Sequence, residues 1–142
     1  MDFTVRDWMM DLVVFIDPDK TVSEALALMR RRYIHSLIVN RTRESEYGIL
    51  TSTDICDKIV AQGRNPSTTT VSEVMTSPII TVLRNMPLHE CAKLMKDKKI
   101  HHLPVCDETG AMIGMNTAPE FLGAAEAMGK APGERANPAF LR

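Results

Sequence analysis

Long hydrophobic runs are missing from this chain; a stretch such as "LVVFI" is far too short to cross a bilayer, so no membrane-spanning role is expected. The opening "MDFTVRDW" lacks the basic-then-apolar pattern of an export signal, and a cytoplasmic location is the default expectation. Cysteine is scarce: Cys56, Cys91 and Cys106 are odd in number and show no CxxC spacing, which argues against a disulfide framework. An excess of either charge is absent too, since 17 basic residues against 18 acidic ones leave a net charge of −1. Nothing in that balance draws the chain to DNA or an anionic membrane. With aromatics at 5%, nucleic-acid binding is disfavoured, and only basic helix ends speak for it. The signatures G-x-S-x-G, HExxH and the P-loop do not occur, and no cysteine is singled out as a nucleophile by a neighbouring histidine, so the expectation is a protein that is not an enzyme.

What is present is a repeat. The chain matches itself at a constant offset of 66, without a gap, from residue 5 to residue 66. "VRDWM" at Val5 falls on "VSEVM" at Val71, and "EALALM" at Glu24 on "ECAKLM" at Glu90. "YIHSLIV" at Tyr33 falls on "KIHHLPV" at Lys99, and "YGILTSTD" at Tyr47 on "IGMNTAPE" at Ile113. Identical pairs include Met9/Met75, Met29/Met95, His35/His101, Gly48/Gly114 and Thr51/Thr117. One register held this long indicates duplication of a single unit. A chain of 142 residues with 44% apolar content accommodates two such units, each with a modest core that needs the other.

Both copies show the same order of elements. Val13–Ile16 and Ile79–Val82 are β-branched runs that read as strands. A helix follows from about Thr21 to Arg32, with Val22, Ala25, Leu26 and Met29 on one face and a Thr21–Glu24 capping-box spacing at its start. In the second copy Pro87 opens the helix, and Leu88, Cys91, Ala92 and Met95 form its apolar face. "HSLIV" and "HHLPV" read as strands, a third strand ends at Leu50 or Asn116, and a second helix starts at Thr51 or Thr117. The fold class is α/β (α+β), with the order β-α-β-β-α twice: residues 1–62, a linker over 63–70, residues 71–128, and a mobile tail from about Gly129.

Two gapless copies, each carrying "h-P-V" or its equivalent and then a "G-h-h-T-x-x-D" pattern, resemble the CBS domain, named after cystathionine β-synthase. The likeness covers about residues 5–128. It implies tandem repeats packed as a pseudo-twofold pair, a Bateman module, with two clefts that take adenosine-containing ligands: AMP, ADP, ATP or S-adenosylmethionine. It also implies a homodimer, in keeping with the prevalence of C2 closure among soluble oligomers. The apolar residues Ile55, Ile59, Val60, Phe121 and Leu122 on "ICDKIVAQ" and "FLGAAEAM" are available for packing within the pair or against another subunit.

The hydroxyl-rich turn "TSTD" carries the functional question. Thr51 reads as a helix N-cap and Asp54 as a first-turn acid complementing the helix dipole. The same groups suit a ligand, because helix N-termini seat phosphates and a carboxylate can accept two hydrogen bonds from a ribose. The resemblance assigns these roles to Thr51, Thr53 and Asp54. In the second copy Thr117 and Glu120 take those places, while Pro119 removes one hydroxyl and Asn116 stands where an apolar residue is usual. The longer Glu arm costs more rotamer entropy, so the second pocket is expected to be the weaker. By the same resemblance Thr76, Ser77, Pro78 and Ile79 border the first pocket, and Asp11 and Leu12 the second.

His35 and His101 are strand-edge histidines which, by the resemblance, also stand where relatives touch phosphate; Ser36 and His102 replace an arginine there. Their alternative reading is a hydrogen-bonded structural histidine. His102 and Cys106 share a strand face but lack the further ligands a zinc site needs. Arg30, Arg31 and Arg32, like Lys96, Lys98 and Lys99, sit where cations favour a helix C-terminus. Two functions are thus expected from different classes: a regulatory adenine-nucleotide sensor acting on an unknown partner protein, for which no cofactor is required, or a ligand-free interaction scaffold.

Overall fold

The structure is a computed structural model that describes residues 3–129; the tail expected beyond Gly129 lies outside the described residues. In chain order the elements are α1 (Val5–Trp8), β1 (Phe15–Ile16), α2 (Val22–Arg32), β2 (Ser36–Val39), β3 (Gly48–Thr51) and α3 (Ser52–Asp54), which runs into a π-helical segment, Ile55–Val60. Then come α4 (Val71–Val74), β4 (Val82–Leu83), α5 (Leu88–Lys98), β5 (His102–Cys106), β6 (Met112–Thr117) and α6 (Glu120–Met128). The strands form two three-stranded sheets, ordered β1-β2-β3 and β4-β5-β6. Each begins with a parallel pair and ends with an antiparallel one. A parallel pair needs a crossover, and α2 and α5 supply it.

The two long helices follow their sequence pattern. Thr21 Oγ1 accepts from the Glu24 amide at 3.1 Å, and Val22, Ala25 and Met29 are buried. At the other end Tyr33 turns into the left-handed region at φ 54°, and Ile34 N–H closes onto the Met29 carbonyl at 3.0 Å. Lys99 and Ile100 repeat this at φ 55° and 3.0 Å, so both helices stop by the same six-residue closure.

The compact units are offset from the repeats. One comprises residues 13–79; the other joins residues 3–12 to 80–129. The opening residues of each repeat therefore pack in the unit built from the other. They dock in the same way: Val71 and Ser72 amides donate to the carbonyls of Lys20 and Pro18, as Val5 and Arg6 amides donate to Met86 and Arg84. Residues 63–70, expected as a linker, fold back over the start of α2. The Thr69 and Pro66 carbonyls accept from the Val22 and Ser23 amides at 2.9 and 3.0 Å, satisfying donors that a helix start leaves open.

Four element boundaries differ from expectation. The run Val13–Ile16 forms a ladder only at Phe15–Ile16. The run Ile79–Val82 yields a ladder only at Val82–Leu83, because the chain passes from one unit to the other between Ile79 and Ile80 and only its end reaches β5. The third strands run one residue further, to Thr51 and Thr117, which pair with Ser36 and His102. The second copy's last helix begins at Glu120 rather than Thr117, since Ala118 and Pro119 form a turn closed by the Phe121 amide on the Ala118 carbonyl at 3.1 Å.

The repeated glycines have a steric cause. Thr76 bridges Ile49, and Met10 bridges Met115, by reciprocal backbone hydrogen bonds of 2.8–2.9 Å. These bridges bring the docking segments against Gly48 and Gly114. A Cβ on Gly114 would lie 2.7 Å from the Met10 carbonyl oxygen; on Gly48 it would meet the flexible Met75 Sδ at 2.5 Å. Gly114→Ala is therefore expected to destabilise by about 1–3 kcal/mol and Gly48→Ala by less, as read from denaturant midpoints.

Core composition differs at one position. Leu50 lies opposite Leu37 in the first unit, and both are fully buried. Its counterpart Asn116 lies opposite Leu103, is fully buried, and has no hydrogen-bond partner among the described residues for either side-chain polar atom. An unpaired buried amide costs about 1–3 kcal/mol. Asn116→Leu should raise thermal stability by an amount in that range.

Candidate functional site

The turn between β3 and α3 is built around one carboxylate. Thr51 ends its strand in an extended conformation (φ −121°, ψ 168°), which points its side chain over the following turn and makes it the N-cap. Its hydroxyl accepts from the Asp54 amide at 3.4 Å, and its own amide donates to Asp54 Oδ2 at 3.0 Å, so the capping reading of Thr51 is realised as a reciprocal box. The Thr51 hydroxyl also donates to Asp54 Oδ2 at 3.3 Å.

The second carboxylate oxygen is taken as well. Asp54 Oδ1 accepts from the Thr76 hydroxyl at 2.9 Å and from Lys58 Nζ at 2.9 Å. Lys58 completes the tie by donating to the Val74 carbonyl at 2.9 Å. Asp54 is 5% exposed, and every neighbour on its two oxygens is a donor. A buried charge is tolerated only when paired and hydrogen-bonded in this way.

Thr76 reaches the site because its backbone bridges Ile49 on β3. Beside it the Ser77 hydroxyl donates to the Tyr47 carbonyl at 3.0 Å, and the Ser77–Pro78 peptide is cis. Of the residues expected to border the first pocket, the structure thus brings Thr76 directly onto Asp54 and ties Ser77 to the residue before β3. Thr53, Ser77 and Pro78 are exposed, Ile79 is half-buried, and Ser36 is buried in β2 opposite Thr51.

Lys58 was not among the expected site residues. The sequence signal is there: it follows Asp54 by four positions, the spacing of a helical ion pair. It comes onto Asp54 in a helix of altered register. In regular α6 the core-facing residue is Ala124, the counterpart of Lys58. In the first copy the buried residue is Ile59, one position later. The π-helical segment, with the Ala61 amide on the Cys56 carbonyl at 2.9 Å, absorbs that one-residue difference.

The second copy keeps the backbone and loses the donors. Glu120 Oε1 accepts from the Thr117 amide at 2.7 Å and from its hydroxyl at 2.6 Å. Ala124 stands in place of Lys58 and Met10 in place of Thr76, so Glu120 Oε2 takes no hydrogen bond among the described residues. Asp11 is exposed and Leu12 half-buried just after Met10.

The histidines line a duplicated groove. In the first unit a cavity of about 470 Å³ is bordered by Met29, Arg30, Tyr33, His35 and Ser52; in the second, one of about 490 Å³ is bordered by Met95, Lys96, Lys99, His101 and Ala118. Each named residue of one stands 66 positions from its partner in the other. The grooves thus gather a histidine and helix-end cations, with Met29 or Met95 contributing apolar surface, while Thr51 and Asp54 do not line them. His102 is half-buried in β5. In α5, burial pushes the Cys91 thiol up to about 11, which keeps it protonated at neutral pH.

The family model for the CBS domain matches residues 5–61 and 71–117. The chain is 36% identical over 110 residues to protein MK0525 of Methanopyrus kandleri, covering 78% of this chain and 56% of that one. It is 33% identical over 105 residues to the CBS domain-containing protein YhcV of Bacillus subtilis, covering 74% of each. The chain therefore spans little more than half the length of the first relative. Among solved structures it resembles the hexameric CBS-CP12 protein from bloom-forming cyanobacteria, with a TM-score of 0.80 and 31% identity over 86% of this chain and 67% of that one. It also resembles the CBS domain pair of protein MJ0100 in complex with 5′-methylthioadenosine and S-adenosyl-L-methionine, with a TM-score of 0.72 and 25% identity over 84% and 97% of the two chains.

Proposed function

The chain belongs to the CBS-domain family, and we propose that it is a regulatory module that binds an adenosine-containing ligand and thereby modulates a partner protein or its own association. The observation that carries this reading is Asp54: a rigidly held carboxylate, backed by the hydroxyls of Thr51 and Thr76, at a turn that recurs in the second copy as Thr117–Glu120. Such a carboxylate accepts from vicinal ribose hydroxyls, and the exposed Thr53 hydroxyl beside it can donate to a phosphate. The ligands of the MJ0100 pair support the adenosine part. The module performs no chemistry of its own in this reading.

Self-association belongs to the same proposal. Val60, Leu122 and Met128 are exposed apolar side chains on the last helical segment of each copy, and a homodimer closed on such faces removes them from water. The hexameric cyanobacterial relative supports assembly in general.

A thermal-shift screen against AMP, ADP, ATP, NAD and S-adenosylmethionine tests the ligand. One of them, at a hundred times its dissociation constant, should add about 2.7 kcal/mol of stability. Asp54→Ala should lose most of that gain and Glu120→Ala a smaller part. Equal losses would contradict the inequality of the two turns, and no shift with any of the five would sink the adenosine reading.

A further inference from the structure

Both oxygens of Asp54 are already occupied by the protein. Oδ2 is held by Thr51, and a ligand has no need to disturb it. Oδ1, the oxygen turned away from the cap, takes Lys58 and Thr76. A carboxylate oxygen has room for about two good donors, so a hydroxyl arriving at Oδ1 has to replace one of them. The bridge of the Thr76 backbone to Ile49 keeps its short side chain beside the carboxylate even when the hydroxyl turns. The Lys58 ammonium stands at the end of a long flexible stem whose side chain is 36% exposed, and that stem can carry it clear of the site. The lysine is the donor that can leave.

We infer that Lys58 is a built-in competitor for the ligand: its ammonium occupies the place on Asp54 that ribose hydroxyls take, and binding at this turn swings it out. The inference rests on the adenosine reading above and adds the residue that sets the affinity of this one site. Three observations support it. The lysine bonds both the carboxylate and the Val74 carbonyl, so its release frees a donor and two acceptors at once. A π-helical segment, an uncommon form found mostly at functional sites, follows the turn directly and carries the side chain. The second copy has alanine at the matching position and, among the described residues, no donor on Glu120 Oε2, so the tie is seen in one copy of a duplicated turn.

Occupation by an internal competitor reduces apparent affinity by the fraction of time the site is open. If Lys58 is off Asp54 for 1–10% of the time, an order-of-magnitude range for minor states, its removal tightens binding by about 10- to 100-fold. Calorimetric titration of the wild type, Lys58→Met and Asp54→Ala with AMP, ATP and S-adenosylmethionine tests this. Lys58→Met keeps the aliphatic stem and removes the charge, and it should bind its best ligand about 10- to 100-fold more tightly, whereas Asp54→Ala should bind weakly. Acylation of Lys58 in the wild type, followed by mass spectrometry, gives a second readout that does not depend on the variant folding. The lysine should be protected in free protein and become several-fold more reactive at saturating ligand. Unchanged or weaker binding by Lys58→Met, or no change in Lys58 reactivity on saturation, overturns the competitor while leaving the adenosine reading standing. Absence of binding by wild type and variants alike overturns both.

Discussion

A carboxylate taken out of water has to be neutralised by whatever surrounds it, and at Asp54 that requirement organises the local structure. Thr51 supplies a backbone amide and a hydroxyl because it ends β3 in an extended conformation. Thr76 supplies a hydroxyl because its backbone bridges the same strand. Lys58 supplies the charge. The donors come from the strand end, the helical segment and the docking stretch after α4. Asp54 is the point at which those three pieces of one unit are tied together. The glycine at position 48 belongs to the same arrangement, since a side chain there would press on Met75 and the Thr76 carbonyl.

The duplicated half shows what the backbone does without that charge network. Met10 bridges Met115 as Thr76 bridges Ile49, and Thr117 binds Glu120 as Thr51 binds Asp54. With methionine and alanine where threonine and lysine stand in the first copy, the second carboxylate oxygen takes no donor among the described residues. The scaffold is therefore indifferent to the network. Side-chain choice at two positions decides whether a turn is tied or open.

Much of this was legible in the sequence. The constant offset of 66 predicted two like units with the order β-α-β-β-α, and two three-stranded sheets realise it. The Thr51 cap and the apolar faces of α2 and α5 followed from local rules that act over three or four residues. What escaped were matters of tertiary placement. That the opening residues of each repeat pack with the other unit depends on long-range docking, which periodicity does not encode. The burial of Asp54 depends on Thr76, 22 residues away, and the second bond of Lys58, to the Val74 carbonyl, lies 16 residues from it, beyond the reach of local spacing. Asn116 stood out in the sequence as a departure from an apolar pattern. The structure adds that its amide finds no partner in the core among the described residues.

The most direct measurement is a crystal structure of the protein with the adenosine ligand that stabilises it best. Ribose oxygens should lie within hydrogen-bonding distance of the Asp54 carboxylate, with Lys58 Nζ withdrawn from it. Ligand density elsewhere, with the Lys58–Asp54 contact of 2.9 Å intact, would contradict it.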